Sequence, residues 1–389
     1  MLAGDEGSKG KSVMQRLLLT TVSVIALGLG ATAAMAGGSS SYDSQEGTNQ
    51  TANIDQSAGT NDSVGTVGNP FDQNNGGGSG GNTITITQTG SYNSFGKTAN
   101  SFQSGTGNRA NIVQNGYNSD VELQQTGTNN GPNDILNTHG YWSNDNDGGL
   151  IAQDSTANNS KVSVVQNGSN NAFNIGQGGY GNTTTATQVG DNLLWIRQGT
   201  NSPDVWYSPL ALSSSENNST ITVSQSGGYV DADHNYVNYA ALSQGGGNAN
   251  QMTVTQVGNA NSVDFNQNGS NNVFTSSQSG FGNFVGGESG WPLAESAPFS
   301  QSGSGNQYIN NQVGNYANAN GSQLGNNNYV SNYQSGNYNA ISGTQNGNNN
   351  QVYSWQTGNY DTLSYSQVAS NNYISNSQSG SNNTVTIHQ

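Results

Sequence analysis

The side chains of this chain best placed to do chemistry are carboxamides. Gln301, Gln312, Gln323, Gln334, Gln345, Gln356, Gln367, Gln378 and Gln389 follow one another at intervals of eleven residues. A primary amide carries two N–H donors and a carbonyl acceptor, so a regular series of them can hydrogen-bond reciprocally to copies of itself. Groups suited to catalysis are sparse. The histidines are His139, His234 and His388, in unrelated contexts, and no serine or aspartate stands with them in a catalytic constellation. With no cysteine there is neither a disulfide framework nor a thiolate metal site. Ser143, Asp145, Asp147, Gly148 and Asp154 match the offsets of a calcium loop. Asp- and Asn-rich loops produce such matches by chance, and no amphipathic helix pattern flanks this one. The expectation is a non-enzyme with no cofactor and no metal.

A fixed spacing implies one structural unit repeated, and the rest of the unit keeps the same register. Two residues after the glutamines stand Gly303, Gly314, Gly325, Gly336, Gly347, Gly358 and Gly380, with Ala369 as the exception. Five residues after stand Asn306, Asn328, Asn339, Asn350, Asn372 and Asn383, with Ala317 and Asp361 as departures. An apolar place holds Tyr308, Ala319, Val330, Ile341, Val352, Leu363, Ile374 and Val385.

Composition alone points elsewhere. The chain is 30% hydrophobic and 7% charged, with 55 glycines. So little apolar surface offsets backbone ordering, at roughly 1–2 kcal/mol per residue, only with difficulty, and by base rates it reads as disorder. A disordered linker has no reason to hold Gln, Gly and Asn at fixed offsets, whereas a stack of identical rungs does.

Lys9, Lys11 and Arg16 precede an apolar run at 17–29, and Ala34-Met35-Ala36 follows. This is the layout of a secretory signal peptide over residues 1–36, with cleavage after Ala36 and a start at Met14 as an alternative. The run is shorter than the roughly 20 apolar residues that span a bilayer, so no integral membrane segment is expected in the mature chain. Beyond residue 36, four basic residues (Lys97, Arg109, Lys161 and Arg197) face twenty acidic ones. That balance argues against nucleic acid as a partner.

Residues 37–299 carry the same unit with less discipline. Gln256, Gln267 and Gln278 keep the spacing, as do Gln103, Gln114 and Gln125, then Gln166, Gln177 and Gln188, and finally Gln45 and Gln56. Interruptions are expected at about 65–81, 131–159, 199–218, 227–236 and 286–299. All six prolines (Pro70, Pro132, Pro203, Pro209, Pro292 and Pro298) fall in them. Proline is excluded from strand interiors, so the units read as strands and the interruptions as loops. Residues 300–389 form the regular block.

Each unit reads as a strand and a turn. Asn82, Ile84, Ile86 and Gln88 lie on one face and Thr83, Thr85 and Thr87 on the other. The Gly-x-x-Asn that follows reverses the chain. Two strands face to face make a rung of 22 residues, and rungs stacked about 4.8 Å apart put residue i over i+22. The expected fold is an all-β, parallel β-solenoid with cross-β stacking. About a dozen rungs would give a rod on the order of 55–60 Å long. Inward Gln and Asn, costly when unpaired, are satisfied if each side-chain carbonyl accepts from the amide of an adjacent rung. Gln389 then sits on an open end rung, which can template another chain.

The unit resembles the curlin repeat of bacterial curli fibre subunits, most closely from Ser300 to Gln389. The resemblance implies a parallel cross-β solenoid and export through an outer-membrane pore. It further implies self-assembly outside the cell, with a nucleator, into an amyloid fibre for adhesion to host or abiotic surfaces and for biofilm matrix. By the same resemblance the glutamines and asparagines become stacking ladders and the glycines turns. The chain differs from the family in its larger number of units, in Asn where Ser is usual, and in its proline-bearing insertions. Between Ser300 and Gln389 Asp361 is the one acid and no Lys or Arg occurs, whereas earlier units carry Lys97, Arg109, Asp120, Glu122, Lys161 and Asp264. Like charges repeated at rung spacing would repel, so the C-terminal block is expected to lead assembly and the insertions to slow it.

Two rival readings follow from outward residues. A monomeric β-solenoid adhesin would use aromatics such as Tyr329, Tyr333, Tyr353 and Trp355, or Trp142, Trp206 and Trp291 in the insertions. An ice-binding protein would use threonine pairs: Thr83/Thr85, Thr183/Thr185, Thr220/Thr222 and Thr253/Thr255. These pairs are scattered in sequence, and no continuous lattice is expected from them.

Overall fold

The computed structural model describes residues 39–389 other than 47–49, 57–58, 68–69, 76–80, 98–100, 129, 131–149, 154–155, 170, 200–215, 230–236 and 287–298. The signal-peptide reading with Ala34 and Ala36, the calcium-loop match, His139, His234, Trp142, Trp206, Trp291 and five of the six prolines lie outside the described residues. Pro70 is described and sits outside any strand, directly before Phe71–Asn74.

Every element among the described residues is a strand. Strands alternate between two long sheets, one of 16 strands and one of 14, and neighbours within each sheet pair in parallel. The chain is a parallel β-solenoid. In the regular block Tyr329–Asn337 pairs with Gln351–Asn359, and that strand with Tyr373–Ser381, placing Gln334 beside Gln356 and Gln356 beside Gln378. Where an insertion intervenes, the sequence offset grows from 22 to 41 or 46, yet glutamine still lies on glutamine: Gln125 beside Gln166 and Gln198 beside Gln244. The register is the same on either side of each of these two insertions.

The period-2 pattern explains the interior. Along Thr83–Gln88 the even-numbered side chains are buried and the odd ones half-exposed. The main core cluster runs between the sheets, from Val64 and Phe71 through Ile196 and Phe265 to Ile374, and a small second one gathers Ala172, Leu193 and Val237. Its widest part is aromatic, with Phe265 stacked on Phe274 at 3.6 Å and Phe299 against Tyr308 at 4.0 Å. Gly343 makes room here, since a Cβ on it would lie within the Tyr365 ring. Burial pushes the Tyr308 and Tyr365 phenols well above their ordinary range, and the Tyr308 hydroxyl accepts a bond from Asn332 Nδ2 at 3.1 Å.

Two boundaries differ from the sequence reading. Phe71–Asn74 and Leu150–Gln153 fall in stretches assigned to interruptions, yet both are ladder-bearing strands. Each supplies a rung with the glutamine it needs, Gln73 and Gln153, so the interruptions of the repeat are shorter than spacing alone suggests.

The turns have two special positions. The seven glycines after the glutamines take φ from +109° to +141° (Gly303, Gly314, Gly325, Gly336, Gly347, Gly358 and Gly380), a region that L side chains rarely enter. A second left-handed residue precedes each ladder asparagine, as at Asn327 (φ 56°), Asn349 (φ 58°) and Asn371 (φ 65°). The strand Thr362–Gln367 ends before Ala369, as Asn318–Leu324 and Ala340–Asn346 of the same sheet end before Gly325 and Gly347.

Candidate functional site

The feature that sets this molecule apart is a pair of buried glutamine columns along the solenoid, one on each sheet. In the first sheet Gln278 Nε2 donates to Gln312 Oε1 at 3.0 Å, Gln312 to Gln334 at 3.0 Å, Gln334 to Gln356 at 3.1 Å and Gln356 to Gln378 at 2.7 Å. In the second, Gln301 donates to Gln323 at 2.6 Å, Gln323 to Gln345 and Gln345 to Gln367 at 2.9 Å each, and Gln367 to Gln389 at 3.1 Å. Both columns continue to the low-numbered rungs, as far as Gln45 to Gln73 and Gln56 to Gln88. The donation always runs toward the higher-numbered rung.

Through most of the columns the second N–H of the amide ties the two sheets together. Gln323 Nε2 donates to the Gln307 carbonyl, Gln334 to Asn318 and Gln356 to Ala340, each sixteen residues back on the opposite strand. One side chain therefore bonds its neighbours along the rod and the facing sheet across it. Gln345 and Gln356 are fully buried with both side-chain polar atoms engaged, whereas Gln389 lies exposed directly after the edge strand Thr384–His388.

From Asn130 through Asn171, Asn192, Asn238 and Asn261 to Asn283 the asparagines bond amide to amide as expected, but in the regular block they behave differently. Asn306 Oδ1 accepts the main-chain N–H of Asn328 at 3.0 Å, and the pattern repeats from Asn328 to Asn350 and from Asn350 to Asn372. Asn306 Nδ2 donates to the Gly325 carbonyl, Asn328 to Gly347 and Asn339 to Gly358. The shorter side chain sits where the backbone leaves the strand, and it satisfies main-chain groups that the turn would strand. At the departures the pattern thins. Ala317 donates its N–H to Asn283 Oδ1 but offers no side-chain acceptor to the next rung. Asp361 Oδ1 accepts both the N–H and Nδ2 of Asn383, while Oδ2 is buried without a partner.

One substitution in the ladder is compensated by a buried carboxylate. Where Ser219 stands at the asparagine position, Glu216 reaches in to accept from the Ser219 hydroxyl, from Asn250 Nδ2 at 2.9 Å and from the Gly247 N–H at 3.1 Å. Burial nevertheless pushes its carboxyl above the ordinary range, outweighing those bonds. Burial also raises Asp264, to about 7, and Asp43, to about 6, the latter with help from Asp72. None of these groups is a member of a metal cluster, and among the described residues no three carboxylate or imidazole groups converge on one.

Asp43 and Asp72 lie on paired strands and repel, but where Asp120–Thr128 meets Lys161–Ser169 the charges are matched. Lys161 lies beside Asp120 in the pairing register and its Nζ stands 3.3 Å from Glu122 and 3.9 Å from Asp120. The expected like-charge penalty is absent from this pair of rungs.

Three of the four threonine pairs also differ from expectation, since the register gathers them on the 16-stranded sheet, while Thr83 and Thr85 lie on the other sheet. Thr183 stands beside Thr220, then Thr185, Thr222, Thr253 and Thr275 form one outward column, and Thr187, Ser224, Thr255 and Ser277 another. The insertion before Thr220 scatters them in sequence and leaves them aligned in space. On the same sheet Tyr333 stacks on Trp355 at 4.1 Å, and Tyr353 lies between Tyr329 and Tyr373.

Several ladder members escape an eleven-residue search: Gln73, Gln153, Gln198, Gln225 and Gln244. Their signal was the alternation that precedes them, as in Asn192, Leu194, Ile196 and Gln198, all buried. No helix among the described residues is long and apolar enough to cross a membrane. Compared with protein-family models and with curated proteins, the chain matches none.

Proposed function

We propose that this chain is a secreted structural subunit that stacks end to end into extracellular, curli-like cross-β fibres serving cell adhesion and biofilm matrix. The observation that carries the reading is the rung-to-rung contact itself. The same parallel backbone pairing and the same glutamine bond recur at each rung of the regular block, so one copy offers a second copy the interface its own rungs already use. The edge strands Tyr373–Ser381 and Thr384–His388 pair on one side only within the described residues, and such edges template further strands. The partners on this reading are further copies of the chain, a nucleator and an outer-membrane pore, with host or abiotic surfaces as targets. Residues 300–389, whose acid Asp361 is buried inside the ladder, form the segment that leads growth.

The test is incubation of the protein lacking residues 1–36, followed by electron microscopy and fibre diffraction. Fibres with reflections at about 4.7–4.8 Å and about 10 Å are the expected result. Protein that stays monomeric at high concentration and after seeding overturns the proposal.

The threonine columns favour a second reading, an ice-binding face, because aligned hydroxyls and methyls on a regular parallel sheet can order water. It expects thermal hysteresis in the soluble protein, lost in Thr222→Tyr. Freezing without hysteresis ends it.

A further inference from the structure

The turn position before each ladder asparagine takes a left-handed backbone, and on one edge of the regular block it is filled by Gly305, Asn327, Asn349 and Asn371. Those are the residue types that tolerate positive φ. On the other edge the same position holds Tyr316 (φ 58°), Tyr338 (φ 59°) and Tyr360 (φ 60°) on successive rungs. A bulky residue here is strained by backbone alone, so conformation does not explain the choice. What the three share is a ring column. Tyr316 and Tyr338 stack at 4.9 Å with 12° between planes, and Tyr338 and Tyr360 at 4.9 Å with 2°. The turn beneath is fixed by a file of amides, Asn315 Nδ2 to Asn337 Oδ1 and Asn337 Nδ2 to Asn359 Oδ1, both at 3.0 Å. The rings remain open to solvent, 40%, 47% and 55% exposed in order.

We propose that Tyr316, Tyr338 and Tyr360 form an oxidative cross-linking site, at which neighbouring phenols couple to dityrosine and staple successive rungs covalently. The co-reactant is hydrogen peroxide used by a haem peroxidase. Each of two adjacent tyrosines gives up one electron and one proton from its phenol, and the peroxide takes both pairs to leave two waters. The two phenoxyl radicals join through ring carbons ortho to oxygen, forming one C–C bond. Each ortho hydrogen then moves as a proton to the phenoxyl oxygen, which restores both aromatic rings, so the pair loses two hydrogen atoms in all. Parallel stacking holds both phenols within one rung's rise, and exposure lets the oxidant reach them and the rings tilt to bonding distance. The outward pairs on the sheet face are less favourably held, Tyr329 with Tyr353 at 5.2 Å and 39°, and Tyr353 with Tyr373 at 5.8 Å and 45°. The inference concerns contacts within one chain and does not depend on fibre growth.

The test treats the soluble full chain with peroxidase and hydrogen peroxide, then reads dityrosine fluorescence and maps linked peptides by mass spectrometry. The expected product joins Tyr338 to Tyr316 or Tyr360 within a chain, with the mass lowered by two hydrogens. Tyr338→Phe keeps a ring in the stack and is expected to lose most of the fluorescence, because the remaining phenols then stand two rungs apart. Tyr360→Phe retains the Tyr316–Tyr338 link, and Tyr329→Phe leaves the yield unchanged. Equal yield from Tyr338→Phe, or links shared evenly with Tyr329, Tyr353 and Tyr373, overturns the proposal.

Discussion

Replacing Gly336 with alanine is expected to break the solenoid at that rung. Gly336 has φ +114°, and a Cβ built on it points into the carbonyl oxygen of Gly358 on the next rung, far inside van der Waals contact. Strain at such a backbone conformation costs about 1–3 kcal/mol by itself. The obstacle is also main chain, which cannot rotate away as a side chain would. Gly358 must shift, and the pairing of Tyr329–Asn337 with Gln351–Asn359 shifts with it. The combined loss belongs in the tail of single substitutions, beyond about 4 kcal/mol. Because each rung touches only its neighbours, the damage should stay local, and hydrogen exchange will read it better than one melting temperature. Amides of residues 329–359 should lose protection while the low-numbered rungs keep theirs. Ser342→Ala, at an exposed outward position, is the control and should change nothing. Retained protection across 329–359 in Gly336→Ala would show that the turn has another conformation open to it.

The second large effect is expected from Gln345→Leu, a swap of similar volume. It deletes the bond from Gln323, the bond to Gln367 and the bond to the Tyr329 carbonyl. A buried N–H on Gln323 and a buried Oε1 on Gln367 are left without those partners. At about 1–3 kcal/mol for each orphaned group, the loss is roughly 2–6 kcal/mol. The informative variant is the double one, Gln345→Leu with Gln367→Leu. It leaves the buried orphan on Gln323, while the freed carbonyl of the exposed Gln389 is met by water, and the new leucines pack against each other. The double variant is therefore expected to lose no more stability than the single one, measured by denaturant titration of the same transition. Additive losses would mean that the amides act independently and not as a column.

Much of this was legible in the chain. The inward set of the regular block, the glutamine column and the seven left-handed glycines follow from a period of eleven together with a strand period of two. Other features were hidden for physical reasons. Gln153 and Gln198 joined the columns although insertions had destroyed their spacing, because the register is set by what stacks and not by loop length. The threonines looked scattered for the same reason. Tyr316, Tyr338 and Tyr360 could not be placed from propensity, since a tyrosine is a poor candidate for a left-handed turn. Asn306, Asn328 and Asn350 were read as bonding to one another, as Asn238, Asn261 and Asn283 do, and only the turn geometry shows that in the regular block their partners are main-chain groups. The pairing of Lys161 with Asp120 and Glu122 needed the loop between them to be set aside before the charges could be seen as neighbours.

The one-way donation of the glutamines gives the rod an electrical axis. The backbone dipoles of a β-sheet largely cancel, so the side chains set the sign of the field. In each column the amides align head to tail, Nε2 toward the higher-numbered rung and Oε1 toward the lower, as at Gln334 and Gln356. Their dipoles add along the rod as peptide dipoles add along a helix. The pole of the amide columns at the low-numbered rungs is negative and the opposite pole positive, so the two directions along the stack are electrostatically unlike.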